Sequence, residues 1–225
     1  MPEASFALGM SQVEKVQAVF DEWAQNGRAE GMERGHGPTA RQAFDRLALR
    51  DQQRYLDIGC GNGYTLRWAL EGVPTAEAWG LDVSARMIEL ATRMSLEHKG
   101  DKHFIAGRYP NSELPKEYFD AIFSMEVFYY LPSVDEGLAA IREALRPGGL
   151  FACVVDFYRE NEASHGWPAD LGVAMTLWSA QEWRSGFERA GLEVVEQTRL
   201  YPTQEHDAEG WKQSEGSLMT LGRKL

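Results

Sequence analysis

The sequence predicts an α/β fold, doubly wound around a mostly parallel sheet. Short apolar runs alternate with amphipathic helical patterns along most of the chain, at the spacing of strand–helix–strand units. Glycines follow the first strand directly, as they do where a parallel strand turns into a helix. The last two strands, at Leu192–Leu200 and Leu218–Leu221, are joined by a segment without a helical pattern. Because a parallel crossover normally carries a helix, the terminal strand is expected to be antiparallel.

Helix boundaries are marked by residues that cap the exposed backbone groups of a helix end. Ser11 opens the first helix with the spacing of a capping box. Asn26–Gly37 is rich in glycine and charge, which predicts a loop, and Pro38–Leu49 has the periodicity of a second helix. Later helices are expected to begin after serines whose side chains can accept from the next turn: Ser84, Ser133 and Ser179.

The remaining strands are short apolar runs, bounded by turn residues or by helical patterns. We expect a single domain over residues 1–225, in which residues 1–50 form an N-terminal helical cap or lid. The five strands before the final pair are predicted at Tyr55–Ile58, Ala78–Leu81, His103–Ala106, Ala121–Ser124 and Leu150–Val155.

Composition and charge narrow the class of protein. The chain has 225 residues and a formal net charge of -11, which argues against a nucleic acid as the main partner because phosphate binding needs clustered Lys and Arg. Cys60 and Cys153 fall in separate predicted core segments and are expected to be reduced thiols, as in a cytoplasmic protein. Neither a membrane-spanning apolar run nor a signal-peptide pattern is present.

The most informative segment is Leu56–Gly63, with glycines at 59, 61 and 63. Such a loop lets a ligand approach the backbone closely, although a tight strand-to-helix turn alone also explains it. A dinucleotide fingerprint requires a third glycine five residues after the first, where this chain has Tyr64. Asp57 would repel a pyrophosphate but attract an ammonium group. The loop therefore favours an adenosine with a cationic amino-acid tail over NAD.

Asp82 ends the second predicted strand. A carboxylate at this position can accept hydrogen bonds from both ribose hydroxyls of an adenosine. The alternative is that Asp82 only helps to cap the helix that begins after Ser84.

Four segments of the chain resemble motifs of the class I S-adenosylmethionine-dependent methyltransferases and occur in the same order as in that family. Leu56–Gly63 is similar to the first motif, Gly80–Ser84 to the acidic second motif, Phe119–Ser124 to the fourth strand, and Leu145–Leu150 to the turn before the fifth. The resemblance covers about Tyr55–Val155. It implies a seven-stranded sheet with an antiparallel last strand, and S-adenosylmethionine as the cofactor.

The resemblance also implies a set of cofactor contacts. Arg108 is a departure, since the family often has there an Asp that accepts from the adenine amino group, and Arg has no acceptor. A backbone carbonyl takes that role, or Tyr109 or Arg108 packs on the ring. The implied cofactor-binding residues are Asp57, Gly59, Cys60, Gly61, Asp82, Val83, Met87, Gly107, Tyr109 and Met125.

Methyl transfer from a sulfonium needs mainly an in-line nucleophile, so no catalytic triad or metal is required, and the sequence assigns no catalytic residue. The segment after the fourth strand should lie beside the methyl group, although either of its tyrosines could belong to the core. Further aromatic residues at 157, 158 and 178 follow the fifth strand, and the region around His36 could fold over the site as a lid. The candidate acceptor-binding residues are His36, Glu126, Tyr129, Tyr130 and Trp167.

The sequence thus predicts a methyltransferase that acts on a small-molecule acceptor, without a nucleic acid or a membrane as partner. Two alternatives stay open. An aminopropyl-type transferase would show a dedicated acidic motif after the fourth strand, where Glu126 alone stands. A non-catalytic scaffold that binds S-adenosylmethionine would be expected to lose the glycines or the ribose-binding acid, and both are present.

Overall fold

A computed structural model describes residues 10–73, 76–111, 113–202 and 210–225. Its strands are β1 (Arg54–Ile58), β2 (Glu77–Asp82), β3 (Asp101–Ala106), β4 (Phe119–Met125), β5 (Leu145–Val155), β6 (Leu192–Leu200) and β7 (Ser217–Lys224). They form one seven-stranded sheet in the order β3-β2-β1-β4-β5-β7-β6. The first five strands pair in parallel, and β7 runs antiparallel to both of its neighbours. The predicted fold class, with its antiparallel last strand, is confirmed.

The helices are capped largely as the sequence predicts. Ser11, Ser84, Ser133 and Ser179 each accept a hydrogen bond from the backbone amide three residues on. Within the described ranges, no helix is long and apolar enough to cross a bilayer. The helices are α1 (Gln12–Gln25), α2 (Arg28–Asp45), α3 (Tyr64–Gly72), α4 (Ala85–Met94), α5 (Val134–Ala144), α6 (Trp167–Leu171), α7 (Ala180–Arg189) and α8 (Gly210–Ser214), with 3-10 turns at Phe128–Tyr130 and Glu162–Ser164.

Side chains from the helices bury both faces of the sheet. On one face, Phe44 of α2 and Leu66 of α3 belong to a buried apolar cluster with strand residues such as Phe123. On the other face, α5 and α7 contribute Ile141 and Phe187 to a second cluster. Because helices cover both faces, ligands have access at the carboxyl ends of the parallel strands, where the chain leaves the sheet.

The predicted loop over Asn26–Gly37 is wrong. Helix α2 begins at Arg28 and continues through Pro38 to Asp45, so the glycine-rich segment and the predicted second helix form one element. Each internal glycine costs a helix about 1 kcal/mol, which is why the local pattern favours a loop. Tertiary contacts oppose that cost, since Ala29 is buried and Glu33 pairs with Arg67 of α3.

The connection between β6 and β7 also differs in part from the expectation. Its described end carries the short helix α8, where no helical pattern is evident in the sequence. Residues 203–209 lie outside the described part of the chain. Since β6 and β7 are adjacent and antiparallel, the connection does not have to cross the sheet.

Candidate active site

The glycine loop after β1 has a backbone that favours glycine at three positions. Gly59, Gly61 and Gly63 have φ angles of 75°, 52° and 77°, in the left-handed region. A Cβ at Gly59 would lie 2.1 Å from the Val127 side chain, whereas a Cβ at Gly61 would meet nothing within 4 Å. The first glycine is therefore required by packing, and Gly61 leaves open space beside the backbone.

Asp57 lies buried near the end of β1, directly before this loop. One of its oxygens, Oδ2, accepts a hydrogen bond from the Thr65 hydroxyl, while Oδ1 has no hydrogen-bond partner among the described residues. Burial raises the pKa of the carboxyl group to about 7. A buried acceptor left without a partner costs roughly 1–3 kcal/mol, so this oxygen suits a donor group of a ligand.

Asp82 connects the loop to the start of α4. Its Oδ2 accepts from the Gly61 amide at 2.9 Å and its Oδ1 from the Ser84 amide at 2.8 Å. Burial raises its pKa to about 6. The cap of α4 is Ser84 itself, whose hydroxyl accepts from the Met87 amide. Asp82 thus supports both the loop and the start of α4, and a carboxylate with about four lone-pair positions can still accept from a ligand.

One cavity of about 1550 Å³ opens at the carboxyl ends of the central strands. All residues predicted for the site line it, although they come from the ends of four strands and from helices far apart in the sequence. The predicted cofactor residues along it are Asp57, Gly59, Cys60, Gly61, Asp82, Val83, Met87, Gly107, Tyr109 and Met125. The predicted acceptor residues along it are His36, Glu126, Tyr129, Tyr130 and Trp167.

The loop after β3 contributes Gly107, Arg108 and Tyr109 to the lining of the cavity. The Gly107 amide donates to the Asp82 carbonyl at 2.8 Å. The buried Tyr109 donates its hydroxyl to the Gly137 carbonyl at 2.9 Å, which commits that hydroxyl to the core. Arg108 is exposed and also lines the cavity.

Glu126, the residue after β4, adopts a left-handed φ of 61°. This conformation costs a non-glycine residue on the order of 1–3 kcal/mol and is found mostly at functional sites. Its Oε2 accepts from the Tyr129 hydroxyl at 2.7 Å, and its Oε1 accepts from the Asp156 amide. Burial raises the pKa of Glu126 well above its ordinary value, and the negative charge of Asp156 raises it further.

The aromatic candidates separate into two groups. Tyr129 and Tyr130 line the cavity with ring centroids 4.5 Å apart, and Trp167 lines it as well. Phe157 and Tyr158 are instead buried in the core, and Trp178 packs 5.1 Å from Trp183. These three do not line the cavity.

Two charged residues that sequence reasoning missed lie beside His36. Lys212 Nζ is 3.0 Å from Asp156 Oδ2 and 3.2 Å from His36 Nδ1. Asp156 is fully buried and directly follows the apolar strand β5, a position that could have identified it from the sequence. Lys212 lies in a segment without a pattern. The pKa of His36 is lowered to about 4, mainly by burial and in addition by the positive charge of Lys212.

Comparison with known proteins assigns the family. A family model described as a methyltransferase domain matches residues 32–197, most of the chain. The chain is a class I S-adenosylmethionine-dependent methyltransferase by family. The resemblance seen in its sequence motifs is confirmed.

A solved structure from Haloferax volcanii supports this assignment. It contains a protein assigned as a methyltransferase in complex with the Trm112 methyltransferase activator, at 32% identity and a TM-score of 0.83. The alignment covers 91% of this chain and 96% of that one. Geranyl diphosphate C-methyltransferase from Streptomyces coelicolor, solved with S-adenosylhomocysteine, has a TM-score of 0.75 at 13% identity over 96% of this chain and 99% of its own, which shows the shared fold.

Curated relatives act on diverse acceptors. Sterol 24-C-methyltransferase from Aspergillus fumigatus is 26% identical over 66% of this methyltransferase and 42% of its own length. A tRNA U34 carboxymethyltransferase from Saccharophagus degradans is 33% identical over 46% of this chain and 32% of its own length. The chain therefore spans less than half of these relatives, and their acceptors differ from one another.

S-adenosylmethionine is the cofactor of this methyltransferase family. The residues present fit it on three observations. Asp57 Oδ1 is a buried acceptor without a partner, which suits an ammonium group. Gly61 has open space where a side chain would stand, and Asp82 keeps acceptor positions beside the loop.

Replacing Arg108 with alanine should change the affinity for S-adenosylhomocysteine by less than about 1 kcal/mol, or about fivefold, because an exposed charge contributes little. Isothermal titration calorimetry of the parent and the variant measures this. A hundredfold loss would show that Arg108 holds the cofactor in a manner that its exposure does not indicate.

Proposed function

We propose that this methyltransferase transfers the methyl group of S-adenosylmethionine to a small-molecule acceptor. The observation that carries the proposal is the continuous cavity that runs from Asp57 and Asp82 to Glu126, Tyr129 and Trp167. Its volume of about 1550 Å³ exceeds the roughly 300–1,000 Å³ of a usual small-molecule pocket. A cofactor and a second small molecule can therefore lie in it side by side.

The carboxyl ends of β1 and β2 would hold the cofactor. Asp57 would accept from the ammonium group through its unmatched Oδ1, and Gly61 would let the amino-acid tail pass close to the backbone. Asp82 would accept from the ribose hydroxyls, and Val83 and Met87 would flank the adenine. The remaining members of the proposed cofactor set are Gly59, Cys60, Gly107, Tyr109 and Met125.

When bound, S-adenosylmethionine supplies an activated methyl group, so this chain has chiefly to orient the acceptor and exclude water. Positioning of that kind can contribute on the order of 7–11 kcal/mol to the barrier. Glu126, Tyr129 and Tyr130 would form the wall nearest the methyl, because they follow β4 directly. His36 and Trp167 would close the far side, with helix α2 as a lid.

The Haloferax complex favours a second candidate, in which this protein works with an activator of the Trm112 type on a larger acceptor such as RNA. A net charge of -11 weighs against unaided binding to a polyanion. A partner that supplies positive charge would be needed.

Calorimetry is expected to give micromolar affinity for S-adenosylmethionine or S-adenosylhomocysteine, about -8 kcal/mol, and no detectable binding of NAD. Tighter binding of NAD would contradict the cofactor assignment.

A transfer assay with radiolabelled S-adenosylmethionine then separates the acceptor classes. The substrates are a metabolite extract and total RNA, each tested with and without a Trm112-type protein. Label in small molecules without a partner supports the first candidate, and label only in RNA with the partner supports the second. Binding without transfer would favour a scaffold, and activity only with decarboxylated cofactor would favour an aminopropyl-type transferase.

A further inference from the structure

The strongest unexplained feature of the cavity is the carboxylate of Asp156. This residue directly follows β5, is fully buried and lines the cavity, and neither of its oxygens accepts a hydrogen bond from a described residue. Oδ2 forms an ion pair with Lys212 at 3.0 Å, and Oδ1 has no such neighbour. Because a buried carboxylate oxygen needs a donor, Oδ1 is suited to an N–H or O–H group of a bound molecule.

Three acceptor atoms surround the ammonium of Lys212. Its Nζ lies 3.2 Å from both the Gly35 carbonyl oxygen and His36 Nδ1, and it forms the ion pair with Asp156 Oδ2 at 3.0 Å. Lys212 is therefore engaged by groups of the chain itself. Its effect is indirect, since it neutralises part of the charge of Asp156 and fixes the orientation of the His36 ring.

The contact with Lys212 decides which nitrogen of His36 carries the proton. An ammonium has no lone pair, so Nδ1 must accept, and the neutral ring then carries its proton on Nε2. A pKa of about 4 agrees with a neutral ring at pH 7. His36 therefore carries a donor, Nε2–H, and it lines the same cavity as Asp156.

The charges around Asp156 disfavour an anionic group at that carboxylate. Asp156 and Glu126 are both carboxyl groups within one hydrogen-bonded cluster, and the cation of the cluster, Lys212, is already paired with Asp156. A carboxylate or phosphate in contact with Asp156 would meet like charge, and the arginines that line the cavity, such as Arg34 and Arg41, are not members of this cluster. A carbon acceptor without N–H or O–H would leave Asp156 Oδ1 unmatched.

We propose that Asp156 is a catalytic residue of this methyltransferase, binding and deprotonating an N–H or O–H nucleophile of an acceptor that is not anionic. In this arrangement Lys212 is a positioning residue, and His36 donates through Nε2 to an acceptor atom of the same substrate. The inference rests on the proposed function and names its substrate class.

The proposed methyl transfer needs only Asp156, the acceptor and S-adenosylmethionine. The proton of the nucleophile passes to Asp156 Oδ1, and the lone pair of the nucleophile forms the new bond to the methyl carbon. The carbon–sulfur bond breaks, its electron pair stays on sulfur, and the positive charge of the sulfonium is thereby neutralised. No oxidant, metal or further reactant is needed.

Four probes of similar size test the recognition directly: phenol, aniline, toluene and benzoate. Their affinities for the protein loaded with S-adenosylhomocysteine are measured by ligand-observed NMR. Phenol or aniline should bind about tenfold tighter than toluene, as suits one hydrogen bond to a charged group, and benzoate should bind most weakly. In Asp156→Asn this preference over toluene should fall by a similar factor, while the affinity for S-adenosylhomocysteine stays within about twofold of the parent.

Three further variants guard against a folding artefact. Asp156→Leu combined with Lys212→Met replaces the ion pair with apolar groups, which is often tolerated, and should abolish the preference. Asp170→Asn removes an exposed carboxylate of the same cavity and should leave the preference intact. In Lys212→Met, the ¹⁵N shifts of the His36 ring should show that the single Nε2–H tautomer is lost, a change that mere packing would not cause.

The outcomes separate the two proposals. If the parent binds no S-adenosylhomocysteine, the proposed function fails together with the inference. If the parent binds it but does not prefer phenol or aniline over toluene, or if benzoate binds best, the inference alone is overturned. An unchanged preference in Asp156→Asn, with cofactor affinity retained, overturns it as well.

Discussion

A Gly61→Val protein should show no binding of S-adenosylhomocysteine at concentrations that saturate the parent. Gly61 has a left-handed φ of 52° and lines the cavity, and a Cβ there would meet no protein atom within 4 Å. The valine side chain would therefore occupy the space proposed for the amino-acid tail of the cofactor. Calorimetry measures the loss, which should exceed a hundredfold, or about 2.7 kcal/mol.

Gly148→Val is the matched control for this change. Gly148 also has a left-handed φ, of 80°, and a Cβ there would also meet open space, but it does not line the cavity. Both variants should lose roughly 1–2 kcal/mol of folding stability from the backbone conformation, and thermal unfolding measures this. Parent-like affinity in Gly61→Val would show that the cofactor does not pass this loop.

The second large effect is expected at Asp82. Asp82→Ala removes the proposed acceptor for the ribose and also leaves the amides of Gly61 and Ser84 without their shared carboxylate. A charge-assisted hydrogen bond contributes roughly 1.5–3 kcal/mol, so the affinity for S-adenosylhomocysteine should fall about ten- to a hundredfold. Because the two amides lose their partner, the loss should lie toward the upper end of that range.

Asp120→Ala distinguishes a binding role from a structural one. Asp120 also accepts from a backbone amide, that of Arg54, but it lies near the amino end of β4, away from the cavity. Its variant should lower the melting temperature and keep the affinity for S-adenosylhomocysteine. If Asp82→Ala binds the ligand as the parent does, Asp82 only organises the loop and the start of α4.

The features that could be predicted from the sequence depend on local signals. The glycines after β1 and the serine caps are determined by a few neighbouring residues, and the strands by short apolar runs. The antiparallel β7 could be predicted because the sequence before it lacks the pattern of a long crossover helix. Each of these is a property of a segment, and the motif order was specific enough to indicate the family.

The features that could not be predicted depend on contacts between distant residues. Helix α2 contains glycines at 31, 35 and 37 and Pro38, so its local preference is against a helix. It forms where Glu33 contacts Arg67 and Asn62. The contact of Lys212 with Asp156 joins α8 to the end of β5, and no pattern within either segment indicates the other.

The cavity is lined by two kinds of segment, the ends of paired strands and separate helices. The part proposed for the cofactor comes chiefly from the ends of neighbouring strands, over residues 57–125, and is fixed by the register of the sheet. Other parts of the lining come from residues 28–37, 167–171 and 211–212, which lie on separate helices. Substitutions on those helices can alter the shape and charge of the region proposed for the acceptor without disturbing strand pairing. In the proposed arrangement, selectivity for the acceptor can therefore change while the strand ends that would hold the cofactor stay the same.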